Sequence, residues 1–136
     1  MLPGMSSLND DGVQALLGAP NCAVIATTNA DGSIHSAVVW ISLEGGELAI
    51  NSAEGRHWPT NLERDPRVTA VVYPDGNPYE YVEIQGTATG THDDADAHID
   101  RLAKKYTGSD TFGGRAPGDV RVKFVITPTR VRHQTQ

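Results

Sequence analysis

The residues best suited to chemistry lie in one stretch, Asn51-Ser52-Ala53-Glu54-Gly55-Arg56-His57-Trp58-Pro59-Thr60-Asn61-Leu62. Small polar residues close an apolar run, a glycine turns the chain, and an arginine stands just ahead of a helix-like segment. That order suits an anion cradle. The Arg56 guanidinium offers a bidentate fork for phosphate. Ser52 and Thr60 offer hydroxyls, and the start of a helix offers backbone N–H groups. A surface arginine on a solvated turn is the competing reading of the same residues.

Other constellations carry less. Gly113-Gly114-Arg115-Ala116-Pro117-Gly118 is glycine-rich but lacks phosphate-loop spacing, and it does not join a strand to a helix. It reads as a flexible connection, of the kind that can also cover a site. The histidines His35, His57, His92, His98 and His133 show no HxxxH or HExxH spacing, so no metal site is expected. No serine sits in a G-x-S-x-G elbow. Cys22 opens an apolar run and reads as a packing residue rather than a nucleophile.

These residues need a scaffold, and the hydrophobic pattern predicts one. Val13, Leu16 and Leu17 have helical spacing, with Ser7 or Asn9 as caps and Gly18 and Pro20 as the stop. Cys22–Thr28 is β-branched and short, a buried strand. Asn29-Ala30-Asp31-Gly32 is a hairpin turn. Ser33–Leu43 reads as one long second strand and Glu47–Ser52 as a third. Trp58–Arg64 is a short helix, closed by Asp65-Pro66. Val68–Tyr73 and Tyr79–Thr89 are strands four and five, the latter with a bulge or bend at Gly86 or Gly90. Thr91 and Asp94 resemble a capping box for a helix carrying Ile99, Leu102, Ala103 and Tyr106. Val120–Ile126 is a sixth strand, with a break at Pro128 before Thr129–His133. Six strands in meander order with one amphipathic helix predict a small antiparallel barrel, mainly β with some α.

Composition bounds what this scaffold can serve. The chain has 136 residues, 38% apolar and 21% charged, which predicts one domain spanning residues 1–136. The net charge of −6 argues against nucleic acid as a partner. No apolar run reaches the roughly 20 residues of a membrane span, and no secretory signal is read at the start. A cytoplasmic location is therefore expected. One cysteine excludes an internal disulfide.

The order of these motifs resembles a family. Glu54-Gly55-Arg56, Asn61-Leu62-Glu63-Arg64-Asp65-Pro66-Arg67-Val68, Val38-Val39-Trp40, Gly86-Thr87-Ala88 and Ile99-Asp100-Arg101-Leu102 are similar to the pyridoxamine 5′-phosphate oxidase-like split β-barrels. The closest branch is the actinobacterial flavin/deazaflavin oxidoreductases, and the resemblance runs over roughly residues 8–132. It implies a six-stranded split barrel, acting as a homodimer with cofactor in clefts between subunits. It places the cofactor ring along Ala37, Val38, Val39 and Trp40. It places the phosphate at Asn51, Ser52, Ala53, Arg56 and His57, with Trp58 stacking on the cofactor or anchoring the short helix. Tyr79 and Tyr81 are the implied contributions across the dimer. No catalytic side chain is implied, because the cofactor carries the chemistry.

The implied function is reduction of a small organic substrate by hydride from reduced coenzyme F-420. Trp58 and Thr60 stand where many relatives carry basic residues, which leaves less positive charge for an anionic tail. An FMN-binding oxidoreductase of the same fold is the alternative, and a non-enzymatic carrier of a flavin or other aromatic ligand is a third reading.

Overall fold

The structure, a computed structural model, describes residues 5–135. Three helices and seven strands follow one another along the chain. They are α1 (Asp11–Gly18), β1 (Ala23–Thr28), β2 (Ile34–Val39), β3 (Ile41–Glu44), β4 (Glu47–Ala53), α2 (His57–Arg64), β5 (Arg67–Val72), β6 (Tyr81–Thr91), α3 (Ala95–Thr107) and β7 (Arg121–Gln134).

All strand pairings are antiparallel, in the order β2-β1-β5-β6-β7-β4-β3. The two edge strands, β2 and β3, are neighbours in the chain, with only Trp40 between them. The sheet must therefore curl until its edges meet at that residue, yet no ladder joins them. This is a mainly β, split antiparallel barrel, as expected. The strand count is seven rather than six because Ser33–Leu43 is not one strand. It breaks at Trp40, and its two halves pair with different partners, β1 and β4.

The interior is filled by alternate residues of each strand. Ile25, Ile41, Leu48, Ile50, Ile84 and Phe124 are among the largest buried side chains. Complete burial of such a group stabilises the fold by about 1.5–3 kcal/mol. Helix α1 adds Val13, Leu16 and Leu17, the three residues its spacing predicts.

Two local features act on the sheet. Gly86 marks a register shift in the β6–β7 ladder, where a Cβ would collide with Thr127 O. The bulge expected near Gly86 is therefore forced by close backbone approach. It also lets β7 run through Pro128 as one strand, where the sequence predicts a break. At α3, Gly108 caps the C-terminus at φ 82°. The expected Thr91–Asp94 capping box does not form. Thr91 Oγ1 accepts instead from the Asp93 N–H, and Asp94 turns at φ 64° to present its carboxylate to Arg101 and Lys123. Asp10 occupies the N-cap position of α1, not Ser7 or Asn9.

Candidate functional site

A cavity of about 260 Å³ opens where β2 ends, β4 and β7 lie side by side, and α2 and α3 meet them. Val38, Val39 and Trp40 form one wall. Asn51, Ser52, Arg56 and Trp58 form the second. Ile99 and Leu102 of α3, with Phe112 and Arg121, complete it.

The aromatic wall is pre-arranged. Trp40 stacks on Tyr106 with centroids 5.3 Å apart and meets the edge of Phe112 at 5.9 Å. Tyr106 is pinned in turn, donating its hydroxyl to Asn21 O at 2.6 Å and accepting from the Ile41 N–H. Trp58 is buried against Phe124, with centroids 5.4 Å apart, and also faces the cavity. It serves as the anchor of α2 whatever else it touches.

The polar wall is built from the core outward. His98 is fully buried. Asn51 Nδ2 donates to Ala95 O at 2.9 Å and to His98 Nδ1 at 3.1 Å. A ring nitrogen that accepts carries no proton, so neutral His98 is protonated at Nε2 and donates to Ser42 Oγ at 2.8 Å. Burial pulls the His98 pKa down to about 4, which keeps the ring neutral. Held in this way, Asn51 turns its Oδ1 to Arg121, accepting from Nε at 3.1 Å and Nη2 at 2.9 Å.

Arg121 is 6% exposed, although its strand sequence alternates as if it faced water. Its Nη1 is buried without a hydrogen-bond partner. The nearest carboxylate, Asp119 Oδ2, stands 3.6 Å away, beyond hydrogen-bond reach. The same oxygen lies 3.4 Å from Arg56 Nη2 and accepts from the Ala116 N–H at 3.0 Å. Burial first, and the charge of Arg56 second, lower the Arg121 pKa, although a guanidinium stays charged.

The structure brings Val38, Val39, Trp40, Asn51, Ser52, Arg56 and Trp58 to one cavity. Ala37 packs against the barrel core, and Ala53 is buried opposite Arg121 on the face of β4 that carries Asn51, but neither lines the cavity. His57 turns away, donating its Nε2–H to Asn29 Oδ1 at 2.7 Å and stacking on His35 at 3.8 Å. Thr60 spends its hydroxyl on Arg56 O at 2.7 Å, so it offers no donor to an anion. Tyr79 is 65% exposed and precedes β6, and Tyr81 begins it, both away from this cavity. Cys22 is exposed at the cavity rim ahead of β1, correcting its reading as a packing residue. The sequence reading missed Arg121, Phe112 and Asp119. A basic residue three positions beyond the glycine-rich segment was the available signal, and strand alternation masked it.

Among the described residues, no group of three or more His, Cys, Asp or Glu could hold a metal ion. No helix among them is long and apolar enough to cross a membrane.

Comparison with known proteins identifies the family. The pyridoxamine 5′-phosphate oxidase family model matches residues 10–135. The chain belongs to that family. No curated protein matches by sequence. Among solved structures, it is similar to an F420 reductase, with 27% identity, a TM-score of 0.76, and coverage of 90% of this chain and 97% of the other. A conserved protein of Mycobacterium tuberculosis shares the fold at 20% identity and TM-score 0.73, covering 98% and 88%. General Stress Protein 26 of Bacillus anthracis shares it at 18% identity and TM-score 0.68, covering 89% of each chain.

Proposed function

We propose that this protein is an oxidoreductase that uses reduced coenzyme F-420 to reduce a small organic molecule. The observation that carries the reading is the cavity itself, which an apolar strand wall and Trp40 line together with two arginines. A flat aromatic cofactor with an anionic arm needs that pairing of surfaces. The buried, unpartnered Nη1 of Arg121 supports the fit, because such a donor fits an anionic ligand oxygen. Similarity to an F420 reductase supports the choice of cofactor.

When bound, the deazaflavin ring supplies the hydride. The protein's own part is to bind, orient and exclude water. Val38, Val39 and Trp40 desolvate the ring face, while Ser52, Arg56 and Arg121 hold the phosphate end. Asn51 fixes the Arg121 guanidinium, which limits the reorganisation needed on binding.

A homodimer is part of the proposal. One chain's cavity is about 260 Å³, smaller than the roughly 300–1,000 Å³ of a complete ligand pocket. Val24, Ile34, Val38 and Tyr73 are exposed apolar residues on and beside the first strands, at 41%, 65%, 71% and 46%. A second copy set against that face would enclose the cofactor, with Tyr79 and Tyr81 as the cross-subunit contributions.

FMN is the second reading. Its terminal phosphate carries less charge than a polyglutamate tail, and the Asp119 carboxylate beside the arginines disfavours a polyanion. Titrating F-420 and FMN against tryptophan fluorescence separates the cases. Quenching by F-420 within tens of micromolar and turnover of the reduced form are expected. Saturable FMN binding with no response to F-420 would move the assignment to flavin, and binding without turnover would make the protein a carrier.

A further inference from the structure

Arg121 has three features that packing alone does not explain. It is buried, its Nη1 has no hydrogen-bond partner, and it faces a cavity. A core position with no ligand role would favour an apolar residue over a charge with an unused donor. Beside it, a single carboxylate oxygen, Asp119 Oδ2, stands 3.4 Å from Arg56 and 3.6 Å from Arg121. Two guanidiniums thus share one acid, and neither contact is short. The acid is itself held by the Ala116 N–H, within the loop that carries Phe112.

We propose that Arg121 is the second arm of an anion clamp, and that Asp119 is an internal stand-in that an incoming phosphate displaces. A phosphate offers three acceptor oxygens where Asp119 presents one, and it can take bidentate bonds from both guanidiniums. Asn51 keeps Arg121 aimed, so its free Nη1–H is ready for a ligand oxygen. Displacing Asp119 releases the Ala116 N–H but leaves the aromatic wall in place, because Phe112 stays tied to α3 by its own N–H on Asp100 Oδ1 at 2.8 Å and by Arg115 on the same carboxylate. The inference rests on the reading that this cavity takes a phosphate-bearing ligand, and it adds which residue competes with that phosphate.

The test uses inorganic phosphate as the probe, followed by FMN and F-420, by calorimetric titration at fixed ionic strength. The wild type is compared with Asp119→Asn and Arg121→Gln. Asp119→Asn removes the competing charge and is expected to tighten phosphate binding about fivefold to tenfold. Arg121→Gln is expected to weaken it at least about tenfold. Unchanged phosphate affinity in Asp119→Asn, or a loss there, overturns the proposal, and that variant decides alone if Arg121→Gln fails to fold. Phosphate binding that follows the expected pattern while neither cofactor binds leaves the clamp standing and removes the oxidoreductase reading. Cofactor binding that is indifferent to both substitutions does the reverse.

Discussion

At the scale of single residues, the site depends on a histidine that does no chemistry. His98 must stay neutral, because a proton on Nδ1 would face the Asn51 amide N–H rather than accept from it. Its folded pKa, about 4, lies below the usual 6.5. The unfolded chain therefore binds the extra proton first, and stability rises with pH between those values. The difference corresponds to about 3 kcal/mol when His98 is fully protonated. Thermal unfolding is expected to drop in midpoint from pH 7 to pH 5, and to drop less in His98→Gln. Parallel slopes in the two proteins would assign the acid sensitivity elsewhere. Arg56 gives a contrasting case. Its ion pair is half exposed, so Arg56→Ala should leave the apo melting temperature nearly unchanged. Cofactor binding should weaken at least about tenfold, because a charge-assisted contact is lost. Equal affinity in the mutant would sink the phosphate assignment. Arg56 was legible because a glycine turn and a helix start flank it. Arg121 was not, because alternation in Val120-Arg121-Val122-Lys123-Phe124 predicts outward basic residues. The covering of β7 by α3 on one face and by the core on the other buries Arg121 and Lys123 alike.

At the scale of elements, the β6–β7 ladder is the longest pairing and has one weak point. A side chain at Gly86 would collide with Thr127 O and Pro128 Cα, which are backbone atoms that cannot step aside. Gly86→Ala is expected to destabilise the protein by about 1–3 kcal/mol, read as a lower denaturant midpoint. An unchanged midpoint would mean that the bulge can slide. Elements defined by local signals were legible from sequence. The spacing of α1, the glycine stop of α3 and the Gly86 bulge all follow from residue type and near neighbours. The break at Trp40 was not, because Ser33–Leu43 is uniformly suited to extended structure. Only the demand that β2 and β3 serve opposite edges of one sheet divides it, and that demand is non-local.

At the scale of the whole molecule, the exposed apolar edge around β2 is the feature on which the proposed dimer rests. Val38 is 71% exposed while its neighbour Val39 packs against the core. Val38→Glu is expected to keep the fold and convert the proposed dimer to a monomer in sedimentation analysis. A wild type that sediments as a monomer at micromolar concentration would remove the dimer from the proposal.

The place of β7 in the sheet has a further consequence for how the molecule forms. Strands β4 and β6 are separated in the chain by α2 and β5, yet they are joined only through β7, which pairs with both. Until that late segment arrives, β4 has only the short β3 beside it. Closure is therefore a long-range event, and proteins rich in such contacts fold slowly. Trp40, at the junction of the two sheet edges and stacked on Tyr106 of α3, is a natural optical reporter of it. With Trp58→Phe removing the second tryptophan, which packs on Phe124 of β7, its fluorescence is expected to change as the sheet closes.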